Sequence, residues 1–125
     1  VAAILGTFFA NYIFGLNVIE ISSNMRSGTN IYISEIFAAI GLLLVILLSR
    51  TDGKNIVAFN VGIYITAAII FTSSASFANP AVTIARVFTE SFAGINPSTV
   101  IFFISCQVIG MFAAYLLYNQ FFKSK

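Results

Sequence analysis

A chain of 125 residues that is 59% hydrophobic and 8% charged has too few charges to cover a water-facing surface, since soluble domains carry about 25%. With a mean hydropathy of +0.99 it belongs in lipid. The net charge of +2 is too small and too dispersed for a nucleic-acid interface, and the single cysteine, Cys106, permits no internal disulfide. There is no histidine, and the acids Glu20, Glu35, Asp52 and Glu90 are scattered, so a zinc site or a serine–histidine pair has nothing to be built from. No enzymatic activity and no cofactor or metal is expected. Cys106 reads as a small buried thiol.

About four membrane segments can be drawn. The first covers residues 1–16, with Ala2, Gly6 and Ala10 forming a small-residue stripe of the kind that lets helices approach closely. The chain starts at Val1, already inside this apolar stretch and without a charged leader, and the start reads as a truncation of a longer protein. A polar connector follows at 17–30. The second segment, 31–48, is just long enough to span and holds one charge, Glu35. A tight charged turn, 50–55, leads to a third segment at 56–71, with a second stripe at Ala58, Gly62 and Thr66.

The third segment runs into a Ser-rich break and then Asn79-Pro80-Ala81. Asn is a favoured N-cap and Pro a favoured first helical residue, so a helix should start here, in the middle of apolar sequence. In a bilayer, backbone outside a continuous helix is tolerated only where it is buried in protein or lines a water-filled cavity. The break is therefore a candidate site. A half-length helix is expected over 80–92, with the Asn79 amide nitrogen free to donate outward. The positive end of the helix dipole would orient neutral solutes and repel protons and cations. Asn96-Pro97, beyond Gly94, reads as an ordinary cap for the last segment, 98–122, where Gly110 and Ala114 form a third stripe. Arg50, Lys54, Lys123 and Lys125 on one side outweigh Arg26 and Arg86 on the other, which puts the tight turn and the C-terminus in the cytoplasm.

The stretch Ser76-Phe77-Ala78-Asn79-Pro80-Ala81-Val82-Thr83-Ile84-Ala85-Arg86 resembles the second Asn-Pro-Ala loop of the aquaporin (major intrinsic protein) family, in the aquaglyceroporin-like manner. The resemblance extends to Ser34-Glu35-Ile36-Phe37-Ala38-Ala39-Ile40-Gly41, similar to the family's fourth helix. It continues to Gln107 and Gly110 in the last helix, and residues 1–15 are similar to the third. It implies an all-α polytopic membrane bundle of six spans and two reentrant half-helices arranged as an inverted repeat. Residues 1–125 would be a partial domain: the end of the third helix, then the second repeat, without the first two helices and the first Asn-Pro-Ala loop. The implied partners are the missing N-terminal half, membrane lipid and, as a homotetramer, further copies. The implied location is the plasma (inner) membrane.

The implied function is a passive channel for water and small uncharged solutes: glycerol-like polyols, peroxide or metalloid hydroxides. Most of the family carries Arg directly after the second Asn-Pro-Ala, where this chain has Val82. The resemblance places the other filter positions at Ala67 and Ser76. Three small, uncharged side chains imply a constriction wider and less cation-repelling than that of a strict water channel. Arg86 lies roughly 10 Å from the cap by helical rise, a candidate for the headgroup region or the pore mouth, with Glu90 as a weak partner. Glu35, an ionisable residue inside a span, is expected to face the bundle interior, and by resemblance to brace the loop near Asn79. Two rival readings remain open: half of a secondary transporter, which also uses broken helices, and a non-transporting assembly subunit.

Overall fold

The computed structural model describes residues 1–51 and 53–122, and within these the regular structure is helical. α1 spans Ala2–Ile13, α2 Thr29–Ser49, α3 Lys54–Phe71, α4 Pro80–Ala85 and α5 Pro97–Phe121; a single 3-10 turn, Arg86–Phe88, continues α4. α2, α3 and α5 are long and apolar enough to cross a membrane, while α1, at 12 residues, is shorter. The chain is an integral membrane protein. Asp52, Lys123, Ser124 and Lys125 lie outside the described residues, and with them part of the charge count that set the orientation.

The helix boundaries follow local chemistry. α1 stops at Ile13 rather than near Leu16 because Gly15 adopts a left-handed φ of 69°. That turn lets Leu16 N–H reach Asn11 O and Gly15 N–H reach Tyr12 O, a Schellman closure of the helix end. α5 opens on Asn96, whose Oδ1 accepts from Ser98 N–H at 3.0 Å, with Pro97 in the first turn.

α2 packs most extensively on α5, and the small-residue stripe on α5 explains the close approach. A Cβ added at Gly110 would sit 2.5 Å from Ile36 O and 2.8 Å from Ala39 Cβ. Ala38, Ala39 and Ala114 are buried alongside. At the centres of the other two stripes, no atom of the described residues lies within 4 Å of an added Cβ at Gly6 or Gly62. α3 leans on α2 through Tyr64, which donates to Ala38 O at 2.9 Å, and only its Ala68 is buried.

Two expectations need correction. The half-helix does not reach residue 92; α-helix ends at Ala85 and the 3-10 turn at Phe88. To continue, the carbonyls of residues 86–88 would have to accept from 90–92. They are already taken: Ile95 N–H donates to Arg86 O, Ser22 N–H to Val87 O, and Asn11 Nδ2 to Phe88 O. Glu90 also does not partner Arg86. Its carboxylate binds Ser23, from N–H at 2.5 Å and from Oγ at 2.6 Å. The connector before α2 is thus bonded onto the segment after α4.

Candidate pore-lining site

The break descends from α3 along the start of α2. Thr72 closes α3 by donating through N–H and Oγ1 to Ala68 O. Ser73 Oγ reaches Asn30 O, and Ser74 N–H reaches Ser34 Oγ, both at 3.4 Å. Ala75, Ser76 and Ala78 then take left-handed φ values of 59°, 44° and 47°. A non-glycine residue held there costs on the order of 1–3 kcal/mol and persists only where the surroundings fix it.

Glu35 is the main fixture. It is fully buried within α2. Its Oε1 accepts from Ala78 N–H at 2.6 Å and its Oε2 from Phe77 N–H at 3.3 Å. Gln107 Nε2, from α5, donates to the same Oε1 at 2.7 Å and to Thr83 Oγ1 at 2.7 Å. Thr83 Oγ1 in turn donates to Asn79 O at 3.0 Å. One network therefore links α2, α5, the break and the first turn of α4.

Asn79 stands at the head of α4 in extended conformation, and its Oδ1 accepts from Ala81 N–H at 2.9 Å. Its side chain is exposed, and among the described residues nothing accepts from its Nδ2. With Ala78 and Pro80 it borders a cleft of about 230 Å³ whose other walls are Ala39, Leu42, Leu43 and Ile46 of α2 and Met111 of α5. An apolar cleft with one free carboxamide N–H fits a small neutral molecule bearing a hydrogen-bond acceptor.

The filter candidates do not line that cleft. Ala67 is exposed on α3 and opens onto grooves along that helix, with Ile63 beside it. Val82 is half-buried in α4. Ser76 is 3% exposed, and its Oγ has no hydrogen-bond partner among the described residues. Arg86 does not extend away from the protein. Its guanidinium lies 4.2 Å from the centroid of the Phe77 ring, and the side chain also borders a cavity of about 460 Å³ between α1 and residues 89–93.

Sequence reading gave three participants no role in the site. Gln107 and Thr83 are polar side chains in apolar helices, the same signal that singled out Glu35. Arg26 counted only as a loop charge. It is half-buried, its guanidinium lies 4.9 Å from the Phe77 centroid, and it donates to Gly94 O at 2.8 Å, Ser74 O at 3.2 Å and Phe92 O. Burial pulls its pKa below the ordinary value, and Glu35 opposes the shift. At the surface, the Ser23 hydroxyl and then the Ser23 N–H hold the Glu90 carboxyl below the usual carboxylate range.

No family model matches the chain, and no solved structure does. Over 115 residues it is 42% identical to the aquaglyceroporin AqpS of Rhizobium meliloti (strain 1021), a match that takes in 92% of this chain and 49% of that protein. This chain belongs to the aquaporin family. An aquaporin-like helical bundle accounts for the three apolar spans and the interrupted helix between them. The chain spans about half the length of the curated relative it matches.

Proposed function

We propose that this chain supplies the second inverted repeat, with the end of the third helix, of a passive channel for water and small uncharged solutes. The supporting observation is Asn79. Its Oδ1 is spent on the helix cap, which leaves its Nδ2 as the free donor at an otherwise apolar cleft. A molecule passing there exchanges one hydrogen bond with the amide, and the apolar wall offers no second site to trap it. Glu35 braces the loop from α2, and Gln107 and Thr83 connect that brace to α4.

Val82, Ser76 and Ala67 are assigned to the outer constriction. All three are small and uncharged, which leaves room for a solute larger than water. This favours glycerol-like polyols, with peroxide and metalloid hydroxides in the same chemical class. The name of the aquaglyceroporin relative points the same way. The remaining wall is assigned to an N-terminal half of the same protein, packed on the open faces at Gly6 and Gly62, and the whole to a homotetramer in the plasma (inner) membrane. Arg50 lies over Tyr118, so the tight turn and the end of α5 share one side, which we assign to the cytoplasm.

The test is stopped-flow swelling of vesicles containing the intact protein, with any segment that completes its pore. Glycerol should enter down its gradient, indifferent to proton or sodium gradients. Val82→Arg should slow glycerol at least about tenfold, a barrier increase near 1.4 kcal/mol, while sparing water. Equal glycerol flux in wild type and Val82→Arg refutes the filter assignment, and gradient-coupled flux refutes the channel.

A further inference from the structure

The channel reading leaves the constriction without a charge, since Ala67, Ser76 and Val82 are all neutral. We infer that Arg26 and Arg86, gathered over Phe77, form the electrostatic barrier of the channel's outer mouth and set its selectivity against cations in place of a charge at position 82. The inference rests on the channel reading above.

The two cations come from separate parts of the chain, one from the connector before α2 and one from the end of α4. They meet at one ring, 4.9 Å and 4.2 Å from its centroid. Phe77 is 2% exposed and lies two residues before Asn79, so the charges sit beside the break itself. The aromatic face attracts both guanidinium groups without neutralising either.

Among the described residues the Glu35 carboxylate opposes both, and it offsets one charge of the two. The bonds of Arg26 go to the carbonyls of Ser74, Phe92 and Gly94, which are dipoles rather than charges. Both oxygens of Glu35 are engaged by backbone N–H groups, with Gln107 sharing one of them. Glu90 is turned to Ser23. Two positive charges thus stand against one buried negative charge. Both guanidinium-bearing side chains are half-buried, where salt screens them far less than it screens exposed charges. Neither needs to touch a solute to repel a cation. Arg26 also ties the descending limb of the break, at Ser74, to the returning limb, at Phe92 and Gly94, so the barrier charge is held rigidly.

Urea and guanidinium are planar molecules of nearly equal size that differ in charge, and their relative flux isolates the barrier. The intact protein in vesicles is compared with Arg26→Gln, Arg86→Gln and the double variant. The wild type should pass urea and exclude guanidinium. The double variant should raise the guanidinium-to-urea flux ratio at least about tenfold, with a smaller rise for each single variant. Arg26→Lys and Arg86→Lys, which keep the charge and lose the planar donor fork, should keep the wild-type ratio. Arg86→Gln leaves the carbonyl bonds of Arg26 intact, so it carries the test if the Arg26→Gln protein fails to fold. An unmoved ratio in Arg86→Gln or the double variant overturns the inference, as do Lys variants that leak like the Gln ones. A wild type that passes neither urea nor glycerol overturns the channel reading and this inference with it, a result distinct from an unmoved ratio.

Discussion

Replacing Glu35 by leucine keeps the volume of a buried side chain and removes every acceptor from the centre of the network. Gln107 Nε2 retains Thr83 Oγ1, but Phe77 N–H and Ala78 N–H lose their partners in a site closed to water. Each orphaned buried donor costs about 1–3 kcal/mol, so the loss is about 2–6 kcal/mol. The leucine recovers on the order of 1–2 kcal/mol through apolar burial. The net loss of a few kcal/mol is a large part of the 5–15 kcal/mol typical of a whole domain. It falls where three left-handed residues depend on being held. Glu35→Gln should be milder, at about 1–2 kcal/mol, because its Oε1 still accepts from Ala78 N–H. Its new amide nitrogen takes the place of the oxygen that accepts from Phe77 N–H, the longer of the two backbone bonds at 3.3 Å. Cys106, the single thiol and a buried one, supplies the assay: a thiol-reactive fluorophore in a thermal ramp reports the unfolding temperature. Leucine should lower that temperature by roughly 10 °C, at about 3–5 °C per kcal/mol for a chain of 125 residues, and glutamine by less than half as much. Leucine and glutamine variants that unfold together, at the wild-type temperature, refute the brace.

Other expectations follow from single contacts. Gly110→Val should cost about 1–3 kcal/mol by forcing α2 and α5 apart, whereas Gly62→Ala, with open space for its Cβ inside α3, should raise the unfolding temperature of this chain slightly through helix propensity. Asn79→Ala should cost about 1 kcal/mol through the lost cap and remove the free donor, read as lower unfolding temperature and slower glycerol entry together. Glu90 has a depressed folded pKa, so the bond it makes to Ser23 contributes fully above the ordinary carboxylate pKa and is lost as pH falls through the lower folded value. Proteolysis of the connector at 17–28 should therefore accelerate below about pH 4, the ordinary carboxylate value. Glu90→Gln should abolish that pH dependence, while Ser23→Ala, which keeps the backbone N–H, should only weaken it; the same acid sensitivity in Glu90→Gln would discount the contact.

The Asn79-Pro80 helix start was legible because capping is a local matter: an Asn side chain reaches the N–H two residues on, wherever the segment sits. The α5 start at Asn96-Pro97 was legible for the same reason. The Gly110 stripe was visible as a pattern, but the identical patterns at Gly6 and Gly62 show that a stripe alone does not say which helix will cover it.

Composition and local propensity committed this chain to lipid, to its long apolar helices and to an interruption ahead of Asn79, since each depends on neighbours within a turn or two. The length of α4 and the grouping of Arg26 and Arg86 were decided by residues far apart in sequence. Ser22 and Asn11 took the carbonyls that would have prolonged the helix, and Phe77 drew together two cations 60 positions apart. Hydrogen bonding and charge act through space at a few ångströms, and only the fold says which distant groups come that close.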